Sequence, residues 1–113
     1  MSLRALAALT ALSAALSGCA MIGGGSQVDS PDQRGRAIAG RACAACHAVE
    51  AGEKARPGTK APAFASLEMR HTVGLEGRLA DLTRRGHFGM PPVTLSAGEV
   101  SDLRAYIEGL YSR

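Results

Sequence analysis

The chain has 113 residues, and 46% of them are hydrophobic. Alanine supplies 21 of those, and only four are aromatic: Phe64, Phe88, Tyr106 and Tyr111, with no Trp. Thirteen basic against ten acidic side chains leave a net charge of +3, and no basic run is interleaved with aromatics, so nucleic acid is not an expected partner. The length excludes a multidomain enzyme, a long coiled coil or a membrane-spanning bundle. Three cysteines, Cys19, Cys43 and Cys46, is an odd number, so any disulfide leaves one over and each needs its own account.

Met1 to Arg4 is a short positive segment, and Ala5 to Leu16 is an Ala/Leu run broken only by Thr10 and Ser13. This is the pattern of a secretory leader, shorter than the roughly 20 residues a transmembrane helix needs. Leu16-Ser17-Gly18-Cys19 resembles the bacterial lipobox, in which small residues precede the cysteine that is lipid-modified and becomes the mature N-terminus. The expected division is therefore a lipoprotein-type signal peptide over 1–18, a lipidated N-terminus and flexible linker over 19–30 and a folded domain over 31–113. An ordinary leader with an incidental cysteine, giving a soluble exported protein, and an uncleaved anchor running through Ile22 are the alternatives. More than one acyl chain makes membrane anchoring durable, and Gly23 to Ser26 reads as a flexible tether.

From Ser30 onwards only nineteen large apolar side chains remain. Ser30-Pro31-Asp32-Gln33 opens a helix: a serine N-cap, proline at the first helical position, glutamine closing a capping box. That helix should run to about Ala42. A loop rich in Gly, Lys and Pro spans Ala51 to Ala61, and Pro62 to Met69 allows a short helix carrying Phe64 and Leu67. Thr72 is a possible cap for a helix with Val73, Leu75, Leu79 and Leu82 on one face, stopping at Arg84-Arg85-Gly86. Gly89-Met90-Pro91-Pro92 cannot be regular structure. Ser96-Ala97-Gly98-Glu99 is a second capping box, opening a helix with Val100, Leu103, Tyr106, Ile107 and Leu110 on one stripe. No period-2 strand is evident, so the class is all-α.

Cys43-Ala44-Ala45-Cys46-His47 is C-x-x-C-H, the c-type haem attachment pattern. Two thiols three residues apart at the end of a helix can reach the two vinyl groups of a porphyrin and form thioethers. The adjacent histidine is then carried beneath the iron as its proximal ligand. Two other readings use the same residues. A thioredoxin-like dithiol lacks its βαβ pattern here, and a zinc site from Cys43, Cys46 and His71 or His87 lacks a second knuckle. Export fits haem, since covalent attachment takes place outside the bacterial cytoplasm.

On these motifs the body, roughly Asp32 to Leu110, resembles the class I c-type cytochromes, specifically the short bacterial mono-haem members. The resemblance implies a small cytochrome c fold of about four short helices around one covalent haem c. It implies packing of Gly35 against Tyr106, with Leu103 beside them. It also implies that Pro62, in Pro62-Ala63-Phe64, accepts a hydrogen bond at its carbonyl from the proximal His47. Gly89-Met90-Pro91-Pro92 resembles the loop that carries the axial methionine. One departure is Ala39, where the family carries a bulky residue one turn before the first cysteine, with Ile38 as its substitute.

Met90 lies 43 residues beyond His47 in a Gly/Pro loop with no helical face to pack. A thioether is soft, does not titrate and favours ferrous iron. His71 and His87 are its rivals and otherwise surface or haem-edge residues, while Met69 reads as core. Arg34, Arg36, Arg41, Arg84 and Arg85 form either a positive rim for an acidic partner or a solvated face. Arg70, His71 and Thr72 are candidates for reaching the haem propionates. The expected function is an exported, membrane-tethered electron carrier, not an enzyme, passing electrons between redox proteins with no small-molecule substrate. Alternatives are a haem subunit docked to a dehydrogenase or oxidase, and a sensor or peroxidase-like site with an open sixth position.

Overall fold

The computed structural model describes residues 28–66, 69 and 73–112. The expected leader, Cys19 and the glycine tether lie outside these residues, as do Leu67, Arg70, His71 and Thr72. Three helices are described: α1 (Pro31–Ala42), α2 (Leu75–Arg85) and α3 (Ala97–Gly109). Apart from helical Met69, the other described residues run as turns and loops, with one isolated bridge between His87 and Met90. The all-α class holds.

Both capping boxes form. The Ser30 N–H donates to Gln33 Oε1 at 2.8 Å, although the Ser30 hydroxyl turns to the Asp32 carboxylate. At α3 the exchange is complete: Glu99 N–H donates to Ser96 Oγ at 3.2 Å, and Ser96 N–H donates to Glu99 Oε2 at 2.9 Å. Each box satisfies N–H groups that a helix start leaves without intrahelical partners.

α2 begins later than the apolar pattern suggests. Gly74, in a left-handed conformation at φ 67°, is its N-cap, and Val73 stands 98% exposed ahead of it. Leu75 and Leu79 are buried and Leu82 partly so, leaving Val73 off the apolar face. The end falls at Gly86 after Arg84-Arg85, as the basic last turn indicates. In the 62–69 segment, Ala63 to Ser66 make a turn closed by Ser66 N–H to Ala63 O at 2.9 Å, and Phe64 is buried.

The core centres on α3. All five residues of its expected stripe are buried, and Tyr106 and Ile107 have no exposed surface. α1 crosses it at Gly35. A Cβ there would lie 2.0 Å from the carbonyl oxygen of Asp102 and 2.7 Å from Tyr106 Cβ, so only glycine permits this approach. Ile38 and Ala39 are both buried, and the small Ala39 leaves Ile38 as the large side chain of the α1 face. Arg34 clamps the crossing with two 2.7 Å hydrogen bonds to the Asp102 carboxylate. Tyr106 Oη donates to Val49 O at 2.7 Å and Tyr111 Oη to Phe64 O at 3.3 Å, binding the loop beyond α1 to the last helix.

Candidate functional site

The turn of α1 continues past its last residue. Cys43 N–H donates to Ala39 O at 2.9 Å, Cys46 N–H to Cys43 O at 3.1 Å and His47 N–H to Cys43 O at 2.9 Å. Positions i, i+3 and i+4 of a helical turn share a face, so Cys43, Cys46 and His47 come together on one wall. That wall belongs to a cavity of about 610 Å³ also lined by Leu79 and Leu82 of α2 and Met90 of the following loop. The volume falls within the range of small-molecule and cofactor sites, roughly 300–1,000 Å³.

His47 is buried and its Nδ1 lies 2.8 Å from Pro62 O. A carbonyl only accepts, so Nδ1 carries the proton and the Nε2 lone pair remains as the ring's ligating atom. The loop bringing Pro62 there is held at several points. Phe64 N–H donates to Ala48 O at 2.9 Å, Thr59 Oγ1 to Cys46 O at 3.2 Å and Arg56 Nε to His47 O at 3.2 Å. The Glu53 carboxylate takes the N–H groups of Val49 and Glu50, which hold it below the usual carboxylate range.

Met90 enters on a tight turn. His87 N–H donates to Met90 O at 3.2 Å and Met90 N–H to His87 O at 2.6 Å. Both central residues have positive φ, 37° at Phe88 and 85° at Gly89. Glycine accepts such a conformation and phenylalanine resists it. Phe88 is nevertheless there, and its side chain is wholly exposed. Gly86 is needed too, because a Cβ on it would meet Met90 O at 2.4 Å. Past the turn, Val93 N–H donates to Thr83 O at 2.7 Å and pins the loop to α2.

Burial pushes the Cys43 thiol up to about 11. Among the described residues no group of three or more His, Cys, Asp or Glu side chains is placed to share a metal ion. Cys43, Cys46 and His87 are thus not grouped as a zinc site, and His71 lies outside the described residues. Neither Cys43 nor Cys46 is in a disulfide.

The structure thus brings Cys43, Cys46, His47, Pro62 and Met90 around one cavity and leaves Cys19 and His71 outside the described residues. Met69 lines the same cavity and packs against the core. His87, the rival ligand that is described, lines it with a buried, unpartnered Nδ1. Lys60 and Arg78 line it as well, and the sequence pattern singled out neither. Arg78 could have been found from its spacing, three after Leu75 and four before Leu82.

The five arginines expected as a positive rim are committed elsewhere. Arg34 pairs with Asp102 at 2.7 Å, Arg36 with Glu50 at 2.9 Å, Arg41 with Glu99, and both Arg84 and Arg85 with Asp81.

The cavity fits a haem on three counts: paired thiols and a histidine on one wall, a tautomer fixed for ligation, and a thioether in the same lining. In comparisons with known proteins, the model of the family described as cytochrome c oxidase, cbb3-type, subunit III matches residues 30–107. No curated protein and no solved structure matches the chain. The match covers more than half of the sequence and nearly all of the folded part.

Proposed function

We propose, for a chain that belongs to the cbb3-type cytochrome c oxidase subunit III family and so is a c-type cytochrome with a covalent haem c, a specific ligand set and setting for electron transfer. Cys43 and Cys46 hold the haem as thioethers, His47 is the proximal ligand and Met90 the distal one. Cys19 is lipid-modified after removal of a signal peptide over 1–18, tethering the domain to a membrane on the exported side.

The observation that supports the ligand set is the His47 Nδ1–Pro62 O contact of 2.8 Å in a cavity that Met90 also lines. Bound there, the haem supplies an Fe(III)/Fe(II) couple. The chain's own work is positional. Pro62 O fixes the imidazole tautomer and strengthens it as a ligand. The Gly89/Pro91 loop limits where the Met90 sulfur can go. Phe64, Leu79 and Leu103 keep water from the interior of the cavity, which lowers the reorganisation that electron transfer requires. No proton transfer by a side chain is needed.

The test is the absorption spectrum of the holoprotein. Low-spin ferric iron with the weak red methionine–iron band is expected, and that band should vanish in Met90→Ala while haem stays covalently attached. A parent protein without the band contradicts the assignment of Met90. The family's description names an oxidase subunit, which favours a second reading as a docked haem subunit. Recovery of a stoichiometric oxidase or dehydrogenase complex from membranes supports docking, and recovery of the lipidated chain alone supports a free carrier.

A further inference from the structure

We propose that His87 is a standby axial ligand, taking the sixth position of the iron when the Met90 thioether is absent. This rests on the haem reading above. His87 and Met90 face each other across the bridge that closes the 87–90 turn. Residues directly opposite in an antiparallel pair project to the same side, and both of these line the cavity. One turn therefore offers the iron two ligand types, a thioether and an imidazole.

The spacing to the proximal ligand suits the second. The rings of His47 and His87 have centroids 6.4 Å apart, tilted by 47°. Two metal–imidazole bonds of about 2 Å each, with the half-width of each ring, together span about 6 Å.

The two histidines differ in how they are held. His47 has its Nδ1 on Pro62 O, whereas His87 Nδ1 is buried with no partner. A buried polar atom left without a hydrogen bond calls for an explanation. An imidazole whose tautomer no protein group fixes can turn either nitrogen towards a metal. Its only described ring neighbours are His47 and Phe88, the latter edge-on at 6.2 Å. That freedom suits a reserve ligand, and the proline-flanked Met90 suits the resident one. The exchange breaks one coordinate bond and makes another, with no electron transferred.

The experiment uses holoprotein carrying Met90→Ala, His87→Ala or both, with haem content and far-UV circular dichroism checked for each. Met90→Leu, which keeps the volume, serves if the alanine variant does not accumulate. Met90→Ala should be low-spin with a bis-imidazole signature by electron paramagnetic resonance. The double variant should turn high-spin and bind carbon monoxide at least about tenfold faster in the reduced state, and His87→Ala alone should keep the parent spectrum. A high-spin Met90→Ala protein, or a low-spin double variant, overturns the standby role. A parent that lacks the methionine band and changes spectrum in His87→Ala overturns both this role and the Met90 assignment. With the band present in the parent, only the standby role is at stake.

Discussion

Gly35 is where the fold depends most sharply on a single atom. The Cβ of an alanine would sit 2.0 Å from Asp102 O, backbone of α3, and neither helix can retreat without opening the Arg34–Asp102 clamp. Gly35→Ala should therefore destabilise the domain, even though alanine is the better helix former by about 1 kcal/mol. Overpacking of this kind costs about 1–3 kcal/mol, read as a lowered urea midpoint at unchanged slope. A variant as stable as the parent contradicts the close crossing. Gly40, on the same helix, is the control: a Cβ there would meet nothing within 4 Å, so Gly40→Ala should be neutral or stabilising. The Gly35–Tyr106 pairing was legible only through family resemblance, because nothing local separates Gly35 from Gly40. The steric demand on Gly86 was hidden for another reason. A glycine after two arginines is already accounted for as a helix end, and its clash with Met90 O depends on how the next loop folds back.

At the level of elements, the helix ends were the most readable part of the chain. Ser-x-x-Glu at 96–99 and Ser-Pro-x-Gln at 30–33 state their hydrogen bonds in the sequence, and both boxes form. Ser96→Ala should cost about 0.5–2 kcal/mol, the usual value of an N-cap side chain. The start of α2 departs from the sequence pattern because Val73 continues the apolar spacing, whereas the left-handed Gly74 interrupts the backbone just behind it.

The same helix ends give the fold an acid dependence. Glu99 lies below its ordinary 4.5 because it accepts the Ser96 N–H, with the Ser96 hydroxyl and Arg41 adding to this. Asp102 lies below its ordinary 3.8 because of the Arg34 hydrogen bond. In each case the unfolded chain takes up its proton at higher pH than the folded one. The stability these carboxylates contribute is complete above the ordinary values and is lost as pH falls through the lower folded ones. Urea midpoints should be level near neutrality and fall below about pH 4.5. Glu99→Gln and Asp102→Asn should each be less stable near neutrality and show a shallower acid decline than the parent. An equal decline in all three proteins argues against these two groups as its source.

Across the whole molecule, a thin core and an uneven charge distribution converge on the same cavity. Four aromatics and much alanine leave the centre to be completed by the haem. Charge could not be placed that way, since the sequence shows which residues are cationic but not which carboxylates meet them. In the folded chain Arg34, Arg36, Arg41, Arg84, Arg85 and Arg104 all lie in ion pairs. Lys54, Lys60 and Arg78 have no carboxylate partner among the described residues, and Lys60 and Arg78 stand on the cavity lining with the fully exposed Phe88. Positive charge with no described carboxylate partner, beside an exposed apolar ring at a haem pocket, favours the approach of anionic redox partners. Ferricyanide, a small anionic oxidant, reports that field without requiring the natural partner. Oxidation of the reduced holoprotein by ferricyanide should slow as ionic strength rises. Lys60→Glu should slow it by about 2–10-fold at low salt and flatten the salt dependence. Arg84→Glu, outside the cavity lining, should change it less, and an equal response to both substitutions would mean that net charge alone sets the rate.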